Sequence, residues 1–184
     1  MRKLFASLVL TLLSVLALVA TSSTATAAPA DGTPATPSAA SAVASPAEAT
    51  ADGPWFMYNG NSGKCLVVQG GANGAGAFQY TCTYLADQYW AVDDKGGGTF
   101  QLRNLNSNKC LVVQGGADGA GAFQYTCANL ADQYWTAVNK GGGYVQLRNV
   151  NSGKCLVVQG GANGAGAFQY TCTDLADQYW LFFI

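Results

Sequence analysis

The six cysteines are the residues whose type and spacing most plainly carry chemistry. Cys65 and Cys82, Cys110 and Cys127, and Cys155 and Cys172 form three pairs of equal separation. Six cysteines allow 15 pairings, so spacing alone leaves the connectivity open. The equal separations do more, because a bridge within each unit can be made identically three times. In an oxidising compartment disulfides are the default for such a set, and each would stabilise the fold by about 3 kcal/mol in the chain-entropy account. Metal binding would call for Cys-x-x-Cys spacing or histidine, and the chain has no histidine. Catalysis is poorly supplied too. The only glutamate is Glu48, ahead of the first cysteine, and one aspartate recurs per unit, at Asp87, Asp132 and Asp177. Triad chemistry lacks its base, and glycoside cleavage needs two carboxylates flanking one bond. Asp93 and Asp94 adjoin in the first unit alone, before a glycine-rich turn. No phosphate-cradling glycine pattern occurs. We expect no enzyme, no cofactor and no metal.

The cysteine pairs sit inside a larger repeat. Asn61–Trp90, Asn106–Trp135 and Asn151–Trp180 are three copies of one stretch, offset by 45 residues. The first and third differ only at Tyr84 and Asp174; the middle copy departs from the first at Asn108, Asp118, Ala128 and Asn129. Such a period marks units that pack on their neighbours. Within each, the pattern is of short strands. Trp55–Tyr58, Phe100–Arg103 and Val145–Arg148 alternate apolar and polar residues, with Trp55, Met57, Phe100, Leu102, Val145 and Leu147 on the inward face. A second strand is expected over Cys65–Gln69, a third over Ala77–Cys82 and a fourth over Gln88–Val92. The run from Gly70 to Gly76 is a hairpin loop, in which Asn73, Asp118 and Asn163 most simply serve the turn. Lys95–Gly98 and Lys140–Gly143 turn into the next unit. The apolar Leu181–Ile184 is expected to dock in the core. No window has helical spacing, and the domain reads as all-β.

Ahead of the repeats, Arg2 and Lys3 precede the apolar run Leu4–Ala20 and the small residues Ala25-Thr26-Ala27. This is the layout of a secretory signal peptide over residues 1–27, and the run is short for a bilayer span. Residues 28–53 are almost all Ala, Pro, Ser and Thr; they would bury little on ordering and read as a disordered linker. The domain, residues 54–184, carries seven basic and seven acidic side chains. It has no basic stripe for nucleic acid and no polybasic segment for anionic lipid. A secreted, extracellular protein is expected, with no membrane insertion once the signal is cleaved.

Three units, each with Ser-Gly/Asn-Lys-Cys-Leu, a glycine-rich loop, Gln-Tyr-Thr-Cys and a closing Gln-x-Trp, resemble the ricin B-type lectin family from Trp55 to the end of the chain. The signature stands as Gln88-Tyr89-Trp90, Gln133-Tyr134-Trp135 and Gln178-Tyr179-Trp180. The resemblance implies a β-trefoil of three units, residues 54–98, 99–143 and 144–184, stapled by the disulfides Cys65–Cys82, Cys110–Cys127 and Cys155–Cys172. It makes the signature tryptophans core residues, as recurring strand aromatics usually are. It also implies a sugar site per unit. The family's stacking aromatic falls on Tyr80, Tyr125 and Tyr170, and its polar residue before the signature glutamine on Asp87, Asp132 and Asp177, beside Gln88, Gln133 and Gln178. An aromatic face among polar groups suits a sugar ring.

One departure bears on the ligand. Galactose-binding members carry aspartate two residues after the first cysteine, where this chain has Val67, Val112 and Val157. Valine offers nothing to a hydroxyl, and sites that read hydroxyls depend on such partners. Two expectations follow. In the first, the protein is a non-catalytic lectin-like monomer with up to three equivalent sites for glycans or polysaccharides, of galactose type or plant or microbial polymers. In the second, the sugar sites are lost and the trefoil binds or inhibits a protein partner.

Overall fold

The computed structural model describes residues 53–184; the expected signal peptide and all but the last residue of the expected linker lie outside them. Among the described residues twelve strands form. In the first unit they are β1 (Trp55–Asn59), β2 (Cys65–Val68), β3 (Ala77–Tyr80) and β4 (Tyr89–Gly96). The second has β5 (Thr99–Asn104), β6 (Cys110–Val113), β7 (Ala122–Tyr125) and β8 (Trp135–Gly141). The third has β9 (Tyr144–Asn149), β10 (Cys155–Val158), β11 (Ala167–Tyr170) and β12 (Tyr179–Phe183). All pairings are antiparallel. Following them in turn, β1 pairs with β4, β4 with β5, β5 with β8, β8 with β9, β9 with β12 and β12 with β1. Six strands thus close a barrel with no free edge. The hairpins β2–β3, β6–β7 and β10–β11 hang from it. This is a β-trefoil.

The expected inward residues meet in one core. Trp55, Met57, Phe100, Leu102, Val145 and Leu147 are buried there, along with the signature tryptophans, which are wholly buried. Each indole N–H also donates to a strand carbonyl of its own unit: Trp90 to Leu66 and Trp135 to Leu111 at 3.1 Å, and Trp180 to Leu156 at 3.0 Å. A large apolar ring is therefore buried without leaving its one donor unpaired. The three disulfides join the cysteines within units, Cys65–Cys82, Cys110–Cys127 and Cys155–Cys172. Phe182 docks in the core while Ile184 stays exposed.

The structure departs from the sequence reading in two places. Gln88 does not open the fourth strand; Ala86–Gln88 is a short 3-10 turn, repeated at Ala131–Gln133 and Ala176–Gln178. Three residues are too few for periodicity to register. Asn73, Asp118 and Asn163 do not act within their own loops but reach the following unit. The Oδ1 of Asn73 accepts from the backbone N–H of Thr126 at 3.0 Å, that of Asp118 from Thr171 at 2.8 Å, and that of Asn163 from Thr81 at 2.9 Å.

The same loops are gripped by a buried glutamine. Gln124 Nε2 donates to Gly70 O at 3.0 Å and Ala72 O at 3.1 Å, and its Oε1 accepts from Ser107 Oγ at 2.5 Å. Gln169 holds Gly115 and Ala117 in the same way, and Gln79 holds Gly160 and Ala162. First grips third, second grips first, third grips second. Replacing the wholly buried Gln124 by methionine keeps the bulk and removes three hydrogen bonds. At ~1 kcal/mol each, Gln124→Met is expected to lower unfolding free energy by about 2–4 kcal/mol in urea titration, with the three disulfides intact.

Candidate functional site

Hairpin register fixes which side chains share a face. In β2–β3, Cys65 lies opposite Tyr80, Leu66 opposite Gln79 and Val67 opposite Phe78. Opposed residues point the same way. Leu66 and Gln79 face inward, so Cys65, Val67, Phe78 and Tyr80 form the outer face. The 3-10 turn carrying Asp87 packs against β2, as the equivalent turns pack against β6 and β10. Each unit thus has an exposed tyrosine on its hairpin and an aspartate on the turn packed against that hairpin. Tyr80, Tyr125 and Tyr170 are 41%, 45% and 42% exposed, which leaves a ring face free for stacking.

Val67, Val112 and Val157 are each only 1% exposed. They form the floor beneath the turn and add nothing to the exposed platform. The glutamines expected as sugar contacts sit elsewhere. Gln88 is buried; its Nε2 donates to Thr81 O at 2.9 Å and its Oε1 accepts from Thr83 N–H at 2.7 Å. Gln133 binds Thr126 O and Ala128 N–H, and Gln178 binds Thr171 O and Thr173 N–H. With both ends of the amide occupied, these side chains hold the loop that presents the aspartate.

The aspartates are held by the backbone. Asn104 Nδ2 donates to the main-chain carbonyl of Asp87 at 2.8 Å, Asn149 to that of Asp132 at 2.8 Å and Asn59 to that of Asp177 at 2.9 Å. Each donor belongs to the next unit round the ring. The carboxyl groups are left with little: Oδ1 of Asp87, Asp132 and Asp177 is buried without a hydrogen-bond partner in all three units. Burial pushes the Asp177 carboxyl above its ordinary value of 3.8, against a partial pull from its own N–H and that of Gln178.

Sequence reasoning missed the leucines beside them. Leu85, Leu130 and Leu175 precede the turns and are 60%, 55% and 60% exposed. Leu130, Ala131, Asp132 and Asn151 line an open depression of about 240 Å3, somewhat below the ~300–1,000 Å3 of enclosed ligand sites. A single exposed leucine means nothing; the recurrence of Leu-Ala-Asp-Gln in a loop was the available signal.

The surroundings of the three sites are not identical. Gln101 Nε2 donates to Ala128 O at 2.7 Å, and Gln146 Nε2 to Thr173 O, fixing the loop after the second cysteine. The first unit has Phe56 at that position and makes no such bond. There Tyr84 takes a left-handed backbone, φ 59°, and sets its ring edge-on to the buried Phe56 at 5.1 Å. The same position holds Asn129, which accepts from Tyr134 Oη, and Asp174, which pairs with Lys140.

A six-stranded barrel with three hairpins, intra-unit disulfides and threefold Gln-x-Trp core residues defines a class before any relative is consulted. The family model of the ricin-type beta-trefoil lectin domain matches residues 55–180, and the chain belongs to that family. No relative matches among the curated proteins. Among solved structures, the designed threefold-symmetric protein ThreeFoil is similar at 32% identity and a TM-score of 0.70, over 71% of this chain and 98% of that one. An exo-β-1,3-galactanase from Clostridium thermocellum matches at 28% identity and 0.69, over 72% of this chain and 31% of its own. The haemolytic lectin CEL-III matches at 29% and 0.60, over 72% and 31%. The chain therefore spans under a third of the galactanase and of that lectin.

The raised Asp177 carboxyl has a pH consequence of definite sign. The native state keeps this proton where the unfolded chain has lost it, so the group costs stability as pH rises from the unfolded value through the native one. Asp177→Asn, which has no charge to desolvate, should gain stability relative to the unmutated protein between about pH 3 and about pH 7. Urea midpoints at both pH values measure this; an unchanged difference would refute it.

Proposed function

We propose that this protein is an exported, non-catalytic carbohydrate-binding protein with three glycan sites, one per unit. The observation that carries the reading is the recurrence, three times on a ricin-type lectin domain, of an exposed tyrosine on the hairpin and a poorly satisfied aspartate on the turn packed against it. The tyrosine ring accepts the C–H face of a sugar, and the aspartate accepts from its hydroxyls. Leu85, Leu130 and Leu175 add an apolar lip. Gln88, Gln133 and Gln178 position the aspartates from below. The haemolytic lectin and the galactanase in the comparison are named for sugar-related activities, which supports the ligand class. The valine floor, apolar where galactose-binding members carry aspartate, supports a specificity other than the familiar galactose one. Export is supported by the leader-like residues 1–27 and by the three disulfides.

Single shallow sites bind weakly, and three on one barrel gain from effective concentration when a polymer bridges two of them. On an immobilised polysaccharide, Tyr80→Ala is expected to weaken binding several-fold, and the combined Tyr80, Tyr125 and Tyr170→Ala variant by on the order of 10²-fold. Circular dichroism checks the fold of both. Unaltered binding by the triple variant, or no binding to any polysaccharide, would sink the glycan reading and turn attention to a protein partner.

A further inference from the structure

The bookkeeping of charge around the barrel sets three aspartates apart. Asp93 pairs with Arg103 at 2.7 Å, Asp118 with Lys154 at 2.7 Å, and Asp174 with Lys140. Asp94 Oδ1 accepts from the Gly96 N–H in its turn. The remaining aspartates among the described residues are Asp87, Asp132 and Asp177, and none has a cation partner there. Each keeps one buried oxygen without a hydrogen bond. Lys154, next to the third unit's first cysteine, is turned to Asp118 and Thr171. The same position in each unit therefore carries a half-buried carboxylate without a cation partner, on a turn packed against the hairpin that bears the exposed tyrosine. The wall behind is Val67 opposite Phe78, repeated as Val112 opposite Phe123 and Val157 opposite Phe168. That wall can neither donate to nor accept from a sugar hydroxyl.

A neutral sugar meets that carboxylate, beside the Asn151 amide in the second unit, with no charge of its own to offset it. A protonated amine fits it better. An ammonium brings three donors and a positive charge; its hydrogen bond to a carboxylate is about twice as strong as a neutral one. It is also attracted to a tyrosine ring face. We infer that the three sites select glycans bearing free, non-acetylated amino groups, with Asp87, Asp132 and Asp177 as the specificity-determining residues and Tyr80, Tyr125 and Tyr170 as the platforms. The proposal rests on the glycan-binding reading above and narrows it to amino sugars with exposed ammonium groups.

The test is titration of the full chain with a β-1,4-linked glucosamine hexamer, its fully N-acetylated counterpart and a neutral galactose oligomer. The amine form is expected to bind at least about tenfold more tightly than either other probe, with affinity falling as salt is raised. The combined Asp87, Asp132 and Asp177→Asn variant should lose that preference while keeping its fold by circular dichroism. Combined Tyr80, Tyr125 and Tyr170→Ala should weaken all binding, whereas loose attraction between a polycation and surface carboxylates would survive it. Equal or tighter binding of the N-acetylated or galactose probe, lost with the tyrosines, would overturn the amine preference and leave the glycan reading standing. An amine preference that persists in the asparagine variant would overturn the role given to the aspartates. Failure of all three probes would count against both.

Discussion

The fold depends on a circular hydrogen-bond lock. Gln79, Gln124 and Gln169 are wholly buried, and each uses its amide nitrogen on two carbonyls of another unit's glycine-rich loop. The backbone repeats the grip: Gln124 N–H donates to Ala75 O while Gly74 N–H donates to Gln124 O, and the other two junctions match. A loop of seven small residues has almost no apolar surface to bury and would cost chain entropy to order. Its carbonyls gain fixed partners only when the next unit is in place. No unit can therefore satisfy its own loop, and closure of the ring is the condition under which all three are satisfied. The same closure seats the aspartates, whose main-chain carbonyls are held by asparagines of the next unit.

Near-identical sequences do not give identical surroundings, because the ring is closed by strands that are not copies. β1 pairs with β12 through Phe56 opposite Phe183. Phe56 replaces the amide that Gln101 and Gln146 offer, and an aromatic cluster takes over: Phe56 lies 4.1 Å from Tyr89, 5.2 Å from Phe183 and 5.1 Å from Tyr84, measured between ring centroids. Aromatic contacts of this kind add about 0.5–1.5 kcal/mol each beyond burial. They compensate a left-handed tyrosine backbone that ordinarily costs 1–2 kcal/mol. Residue 84 and its counterparts Asn129 and Asp174 are thus tuned to what lies beneath them.

The barrel was legible in the sequence because its cause is local and repeated. Alternation put Trp55, Met57 and their counterparts inward, glycine runs marked the hairpin loops, and equal cysteine spacing pointed to bridges within units. What was not legible arises between units. Asn73 looks like a turn residue because asparagine favours turns, yet its bond to Thr126 spans the junction. Gln88 looks available beside Asp87, yet its amide is consumed by Thr81 and Thr83. Polar residues of this kind carry no periodicity that distinguishes a buried partner from a surface one; only the closed ring decides.

The aspartates show why one position can matter to stability and to binding in opposite senses. A buried oxygen without a partner costs about 1–3 kcal/mol, and a fold that repeats the omission three times keeps three such debts in register. In the same units Ser62, Ser107 and Ser152 satisfy their glutamines, and the signature tryptophans find carbonyls, while Trp55 Nε1 is left unpaired. The omission that recurs in every unit falls on the aspartate before the signature glutamine. Oδ1 itself is closed to solvent, so a ligand meets only the rest of the half-buried carboxyl group, and that contact is strongest for a donor that carries charge. Under the amino-sugar proposal, the same half-buried carboxylate that costs the free protein stability is the group that selects the cationic ligand.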